Sequence, residues 1–175
     1  LSRFYSPHTF LLKGSDLFLV PSDLLVGQKA LADIKDPKTK DVLVPKGKVI
    51  SRRLLEALLK AGVKQVAVER GLLDSAVLLQ DVVNLNTGEV LLEANDAFVQ
   101  THLEMFQANN VSEFVVCFPD LDVTGKIFSE TLAKDHTEDP EEAAKELFKK
   151  IRPGEPATLE SSKKLLFSMF FDPQK

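Results

Sequence analysis

Two aspartates, in Asp120-Leu121-Asp122, are the residues whose type and spacing most resemble a catalytic site. Alternate carboxylates can present oxygen ligands to a hard cation such as Mg²⁺. The pair favours a turn or the end of a strand over a metal site, because no convergent cluster of carboxylates accompanies it. A small metal-dependent enzyme centred on Asp120 and Asp122 is the alternative interpretation.

The other reactive side chains lack the neighbours that chemistry requires. His8, His102 and His136 are far apart in the chain and have no metal-ligand spacing; His102 is predicted to be a partly buried helix residue. Cys117 is the single cysteine, which excludes an internal disulfide and fits a reducing compartment; it is predicted to be a small buried hydrophobe. The sequence contains no Walker motif and no CxxC. It therefore predicts no catalytic, cofactor-binding or metal-binding residue.

The distribution of charge is a stronger functional signal. Residues 21–68 contain ten Lys/Arg and five Asp/Glu, a net charge of +5, whereas residues 69–116 contain one Arg and eight Asp/Glu, a net charge of −7. The candidate interaction residues Lys46, Lys48, Arg52 and Arg53 could meet phosphate or an acidic partner. Alternatively, the two segments attract each other or the charges have no role. The whole chain carries −4, which argues against general nucleic-acid binding.

These two segments are a tandem repeat. A shift of 48 positions aligns residues 21–68 with residues 69–116 without a gap and gives 11 identities, among them Leu55/Leu103 and Asp33/Asp81. Such a period predicts duplicated supersecondary units that share a core. Each unit is predicted to be β-β-α-β, and the repeats are expected to close their cores without help from the rest of the chain.

The repeat pattern also predicts the boundaries of the elements. The helices are predicted to be capped by Ser51 and by Asp96, and to end at Gly62 and at Asn109-Asn110. The predicted strands of the first unit are Ala30–Ile34, Val42–Val44 and Val63–Val68, and those of the second are Leu78–Val83, Val90–Leu92 and Val111–Val116.

A helix-loop-helix is predicted after the repeats. Asp139 caps the first helix, with Pro140 at its first position and Glu142 as the returning carboxylate; Thr158 caps the second. A structural joint lies between them and consists of Arg152, Pro153, Gly154, Glu155 and Pro156. The second helix carries apolar residues at helical spacing, and by default these belong to a core: Leu165, Leu166, Met169 and Phe170.

These motifs resemble one family, the β subunit of bacterial RNA polymerase. In that family an Asp-Leu-Asp and a Ser-Glu-Thr-Leu segment precede the Arg-Pro-Gly-Glu-Pro joint and a helix that ends in paired phenylalanines. Here the corresponding residues are 120–122, 129–132, 152–156 and Phe170-Phe171. Gly125-Lys126-Ile127 replaces a Gly-Pro-Tyr. The repeats resemble an insertion in the lobe region of the subunit, through three motifs: Val20–Gly27, Thr87-Gly88-Glu89 and Ala94-Asn95-Asp96.

The resemblance implies an α+β, non-catalytic fragment of a cytoplasmic DNA-directed RNA polymerase, a nucleotidyltransferase. Its domains would be an N-terminal lobe segment (1–20), two insertion repeats (21–68 and 69–116) and a lobe segment with the joint (117–175), with both chain ends read as cuts. In the intact enzyme Mg²⁺ is bound by another subunit. The implied partners are the α, β′, ω and σ subunits, template DNA, RNA and a possible regulatory protein on the insertion; no membrane is involved. The alternative is a free-standing repeat module that scaffolds protein contacts outside transcription.

Overall fold

The computed structural model describes residues 1–171. It divides the chain into two compact units, Leu1–Leu132 and the residues from Ala133 onward. Helices and antiparallel sheets both occur, so the predicted α+β class is confirmed. No helix in the described residues is long and apolar enough to cross a membrane.

The first unit is built around a five-stranded antiparallel sheet. The strands of this unit are β1 His8–Lys13, β2 Asp16–Leu19, β3 Ile34–Lys35, β4 Val42–Val44, β5 Val66–Ala67, β6 Val77–Leu78, β7 Val82–Val83, β8 Val90–Leu92 and β9 Glu113–Cys117. The order in the large sheet is β5-β2-β1-β9-β6, and two small two-stranded sheets, β3–β4 and β7–β8, lie outside it. The helices are α1 Arg52–Ala61, α2 Thr101–Ala108 and α3 Ile127–Ala133, with 3-10 turns at Asp23–Leu25 and Arg70–Leu73.

The two 48-residue segments make the same local hydrogen bonds at matching positions. The Lys46 N–H donates to Asp33 Oδ1 at 2.7 Å, and the Ala94 N–H donates to Asp81 Oδ1 at 2.7 Å. Likewise, Ala30 N–H bonds to the Lys48 carbonyl, as Leu78 N–H bonds to the Asp96 carbonyl. These bonds give the two segments the same backbone arrangement around the loop before each helix.

The first predicted strand of each unit is wrong in extent. Only Ile34 of the predicted Ala30–Ile34 lies in a strand, and the predicted Leu78–Val83 divides into β6 and β7 with a bend between them. The reason is that Ala30 and Leu78 bond to the loop before the helix, and the aspartates three residues later turn the chain toward the same loop. Local polar contacts therefore replace a continuous ladder.

Three of the four predicted ends of α1 and α2 are confirmed. Ser51 Oγ accepts from the Leu54 N–H, and both Gly62 (φ 75°) and Asn110 (φ 56°) adopt the left-handed conformation after their helices. The cap predicted at Asp96 is wrong. The N-cap of α2 is Gln100, and the Asp96 carboxylate accepts from the Glu93 N–H at 2.9 Å, closing the preceding turn instead.

The apolar core of the first unit is continuous. The hairpin β1–β2, with its turn at Gly14-Ser15, contributes Phe10, Leu12, Leu17 and Leu19, and α1 and α2 contribute Leu55, Leu58, Leu103 and Phe106. The predicted core shared by the two repeats is confirmed, but the expectation that the repeats close their cores by themselves is wrong. The hairpin lies between the strands of the two repeats, because β2 pairs with β5 and β1 pairs with β9.

The second unit is a helical hairpin of α4, Pro140–Ile151, and α5, Leu159–Phe170. Its small interface buries Ala144 and Phe148 of α4 and Ser162 of α5. On α5, Leu165 and Leu166 are half-buried, but Met169 and Phe170 are 52% and 69% exposed. The core position expected by default for these last two residues is therefore wrong in the described part of the chain.

Both caps of this hairpin agree with the sequence. Asp139 Oδ1 accepts from the Glu142 N–H at 2.7 Å, and Thr158 forms a capping box with Ser161. The Glu142 carboxylate returns to the N–H of Glu138 at 3.1 Å, one residue before the predicted position.

Candidate docking surface

Four cations, Lys46, Lys48, Arg52 and Arg53, lie in the loop before α1 and in the first turn of that helix. They are called the basic cluster below, and all four are exposed. The loop is held from beneath, because Gly47 N–H donates to the Ala30 carbonyl at 2.7 Å and Ile50 N–H donates to the Gln28 carbonyl at 2.8 Å. The cluster is thus a set of exposed side chains on a backbone that hydrogen bonds hold in place.

The electrostatic environment leaves the charge of the basic cluster uncompensated. The first turn of α1 contains no acidic residue, and the positive end of its dipole adds to the charge. The ion pairs within residues 1–171 involve other cations: Lys126 with Asp120, Arg152 with Glu155, and Lys163 with Glu141. Within residues 1–171 the basic cluster therefore makes no ion pair with the acidic second repeat.

The second repeat shows that the fold does not require the cluster. The four matching positions are Ala94, Asp96, Gln100 and Thr101, none of which is a cation, yet the backbone follows the same path. The charges are thus available for an anionic partner.

The structural joint is a short, exposed turn between α4 and α5. The Arg152 N–H still bonds to the Phe148 carbonyl at 2.8 Å, and Glu155 N–H donates to the Arg152 carbonyl at 3.3 Å. Gly154 has φ 94°, which L side chains rarely adopt. Together with Pro153 and Pro156 on either side, this turn limits the backbone states that connect the two helices.

The aspartates considered for metal binding already have protein partners. Asp120 pairs with Lys126 at 3.0 Å, and the Asp122 carboxylate accepts from the Ser6 N–H at 2.9 Å. In the described part of the chain no group of three or more His, Cys, Asp or Glu side chains could hold a metal ion.

The three histidines occupy separate places. The Nδ1 atom of His8 lies 3.0 Å from Ser22 Oγ, and burial lowers the pKa of this imidazole. His102 is half-buried on α2, as predicted, and accepts from the Val99 N–H. His136 is exposed. The structure does not bring these side chains together.

Cys117 is buried at the end of β9 beside Tyr5 and Leu79, as predicted. Burial, together with the nearby charge of Asp122, raises the pKa of its thiol to about 11. A thiol with such a pKa is almost wholly protonated at neutral pH and is a poor nucleophile.

Sequence reasoning missed a groove beside the basic cluster. It lies at the end of β5 and is lined by Gly27, Gln28, Lys29, Val68 and Glu69. The repeat alignment carried a signal for it, since Val77-Leu78 of β6 aligns with Lys29-Ala30. Lys29 stands where the second repeat has the apolar Val77, which indicates that this position is more exposed to solvent in the first repeat.

Comparison with known proteins gives one consistent result. No family model matches the chain. The RNA polymerase subunit β of Anaeromyxobacter dehalogenans is 35% identical over the whole chain, and that of Myxococcus xanthus is 33% identical over the whole chain. The subunit from Koribacter versatilis is 42% identical over 54% of the chain. The chain spans about 12% of the length of the first two relatives. The family resemblance carried by the motifs is confirmed.

Proposed function

Because the whole chain is related to one segment of the bacterial RNA polymerase β subunit, we propose that it is a structural and docking part of that subunit and is not catalytic by itself. The observation that carries the proposal is this end-to-end match to about 12% of the related subunits. The engagement of Asp120 and Asp122 with other side chains supports it. These relatives do not support a free-standing scaffold outside transcription.

The parent enzyme in this proposal is a DNA-directed RNA polymerase, a nucleotidyltransferase that extends RNA on a DNA template. Its Mg²⁺ would be held by β′, and the α, β′, ω and σ subunits would be the protein partners. Residues 8–117 of the first unit would form a module on the surface of the subunit. The helical hairpin with the joint would belong to the scaffold that the rest of the subunit packs against.

The docking role rests on the basic cluster. Four exposed cations at the positive end of α1 create a field that favours an anionic partner. The cost of keeping like charges together is not offset by an ion pair in the described residues. We therefore propose that Lys46, Lys48, Arg52 and Arg53 contact a regulator or another anionic component of the transcription complex.

The structure defines how the module can be removed in a test. His8 and Val116 are paired in adjacent strands, so the chain enters and leaves the module at Cα atoms about 5 Å apart. A deletion of residues 8–117 closed by a short Gly-Ser linker removes the sheet as one piece. A deletion of 21–116 would instead leave the apolar hairpin β1–β2 without its neighbours.

The test uses reconstituted polymerase whose β subunit carries this segment. The 8–117 deletion should assemble with the other subunits and extend RNA on a primed template at close to the wild-type rate. Replacement of both Pro153 and Pro156 by Gly should weaken the elongation complex at increasing salt. The reverse pattern would contradict the division into module and scaffold. Nucleotide addition by the isolated chain would contradict its non-catalytic role.

The metal-enzyme alternative has its own test. Calorimetric titration of the chain with Mg²⁺ and Mn²⁺ should show no tight binding. Binding at micromolar concentration that is lost in Asp120→Asn would favour that alternative over the docking role.

A further inference from the structure

The two repeats differ at one place in the sheet. In the second repeat β6 pairs with β9, and the Leu79 N–H donates to the Val115 carbonyl at 2.9 Å. The matching residues of the first repeat, Leu31 and Ala67, make no such bond. A groove of about 350 Å³ lies there instead, and β5 is the edge strand of the sheet.

In the described part of the chain, two residues at this groove have unpaired backbone groups: Lys29 on its lining, and Ala67 next to the lining residue Val68. Val68 N–H donates to the Leu17 carbonyl, so the alternation of an antiparallel ladder turns the N–H and C=O of Ala67 away from β2 and to the free edge of β5. On the other wall Ala30 bonds to Gly47 and Lys48, which turns the groups of Lys29 toward the groove. Within residues 1–171 neither Ala67 nor Lys29 has a backbone partner for these groups.

The charge around the groove favours an acidic occupant. Lys29 is exposed on its lining, and the wall that carries Lys29 is hydrogen-bonded to the loop that bears the basic cluster. Glu69 is the one acidic residue of the lining. The surrounding repeat carries a net charge of +5. A bound strand would point alternate side chains to the two faces of the sheet, so acidic residues at every second position could reach the cations.

We propose that the open edge of β5 binds an extended, acidic segment of a partner protein by strand addition. The segment pairs with Ala67 of β5 through main-chain bonds, beside the position that corresponds to β6 in the second repeat, and the basic cluster selects its charge. This proposal rests on the docking role of the cluster given above and names the chemistry of the partner.

The test is an NMR titration of the ¹⁵N-labelled chain with a short blocked peptide that alternates Glu with Val and Thr. The amides of Lys29, Ala67 and Glu69 should shift, and hydrogen exchange of the Ala67 amide should slow by ~10-fold or more at saturation. The matched peptide with Lys in place of Glu should cause neither effect.

Two variants test strand addition and charge selection separately. Ala67→Pro removes an N–H that has no backbone partner, and proline is tolerated at edge positions of this kind. It should weaken peptide binding by about tenfold, the loss expected for one main-chain hydrogen bond of roughly 1.4 kcal/mol. Lys29→Glu is an exposed charge reversal that tests the charge selection alone and should also weaken binding. If the proline variant fails to fold, slowed exchange of the Ala67 amide in the wild-type chain separates strand addition from general attraction.

Four other results would each refute the strand-addition proposal, and each points to a different conclusion. Shifts confined to residues 46–53, with Ala67→Pro binding as well as wild type, would leave the docking role intact and refute the strand site. Shifts with single-stranded DNA but not with the acidic peptide would identify a nucleic-acid partner instead. Broadening at Ala67 that depends on chain concentration alone would identify a second copy of the chain. An absence of any shift near the cluster with either probe would refute both proposals.

Discussion

Truncation of two equivalent leucines tests whether the two repeats share one core. Leu55 on α1 and Leu103 on α2 occupy the same repeat position and are 3% and 0% exposed. A change to Ala removes the equivalent of about three methylene groups, worth roughly 2.4 kcal/mol by transfer alone, and the cavity left behind brings the usual range to about 2–5 kcal/mol. We expect about 3 kcal/mol at Leu55 and slightly more at Leu103, which is fully buried in the cluster that contains the aromatic rings of Phe98 and Phe106.

The assay is denaturant unfolding of the chain followed by circular dichroism. Since the core is continuous, both variants should lower the midpoint of the same transition. Leu59→Ala is the matched control: this residue lies on α1 but is 53% exposed, so its loss should change the free energy of unfolding by less than about 0.5 kcal/mol. A loss below about 0.5 kcal/mol at both buried sites, or separate transitions for the two variants, would refute the shared core.

Three further outcomes are expected. Cys117 should resist thiol reagents at pH 8 in the native chain and react after unfolding; its raised pKa also predicts that the free energy of unfolding falls as pH rises from 9.0 to about 11, and rapid native labelling would contradict its burial. Replacing Pro153 and Pro156 by Gly should lower the free energy of unfolding of the helical hairpin by roughly 1–2 kcal/mol in total, because the unfolded chain gains conformational freedom. An unchanged melting temperature would be inconsistent with this. Asp33→Ala and Asp81→Ala should each cost about 1–2 kcal/mol in denaturant unfolding because a loop N–H loses its acceptor, whereas the Asn variants should retain most of the stability; equal losses for Ala and Asn would disagree with that account.

Local features of the fold could be predicted where a few adjacent residues determine them. Ser51, Asp139 and Thr158 cap helices as expected, because each side chain bonds to backbone only two or three residues away. Asp96 failed as a cap since its carboxylate reaches a different N–H at the same short range. Sequence alone does not decide between two such local bonds.

Longer-range pairing was not predicted. The apolar alternation of Phe10 and Leu12, and of Leu17 and Leu19, with Gly14 between the two pairs was a usable hairpin signal. Nothing in the local pattern indicates that this hairpin lies between strands of both repeats, because that arrangement depends on partners far along the chain. The basic cluster was visible as charge, whereas the groove beside it depends on which strands pair.

The position of the hairpin imposes an order on folding during synthesis. β2 can pair with β5 after about 50 more residues have left the ribosome, but β1 must wait for β9, about 100 residues downstream. At ~5–20 residues per second the free edge of β1 would stay exposed for about 5–20 s. During that interval the nascent chain presents Phe10 and Leu12 on a strand with one unpaired edge, which makes this stage the point of greatest risk for aggregation and of greatest benefit from a chaperone.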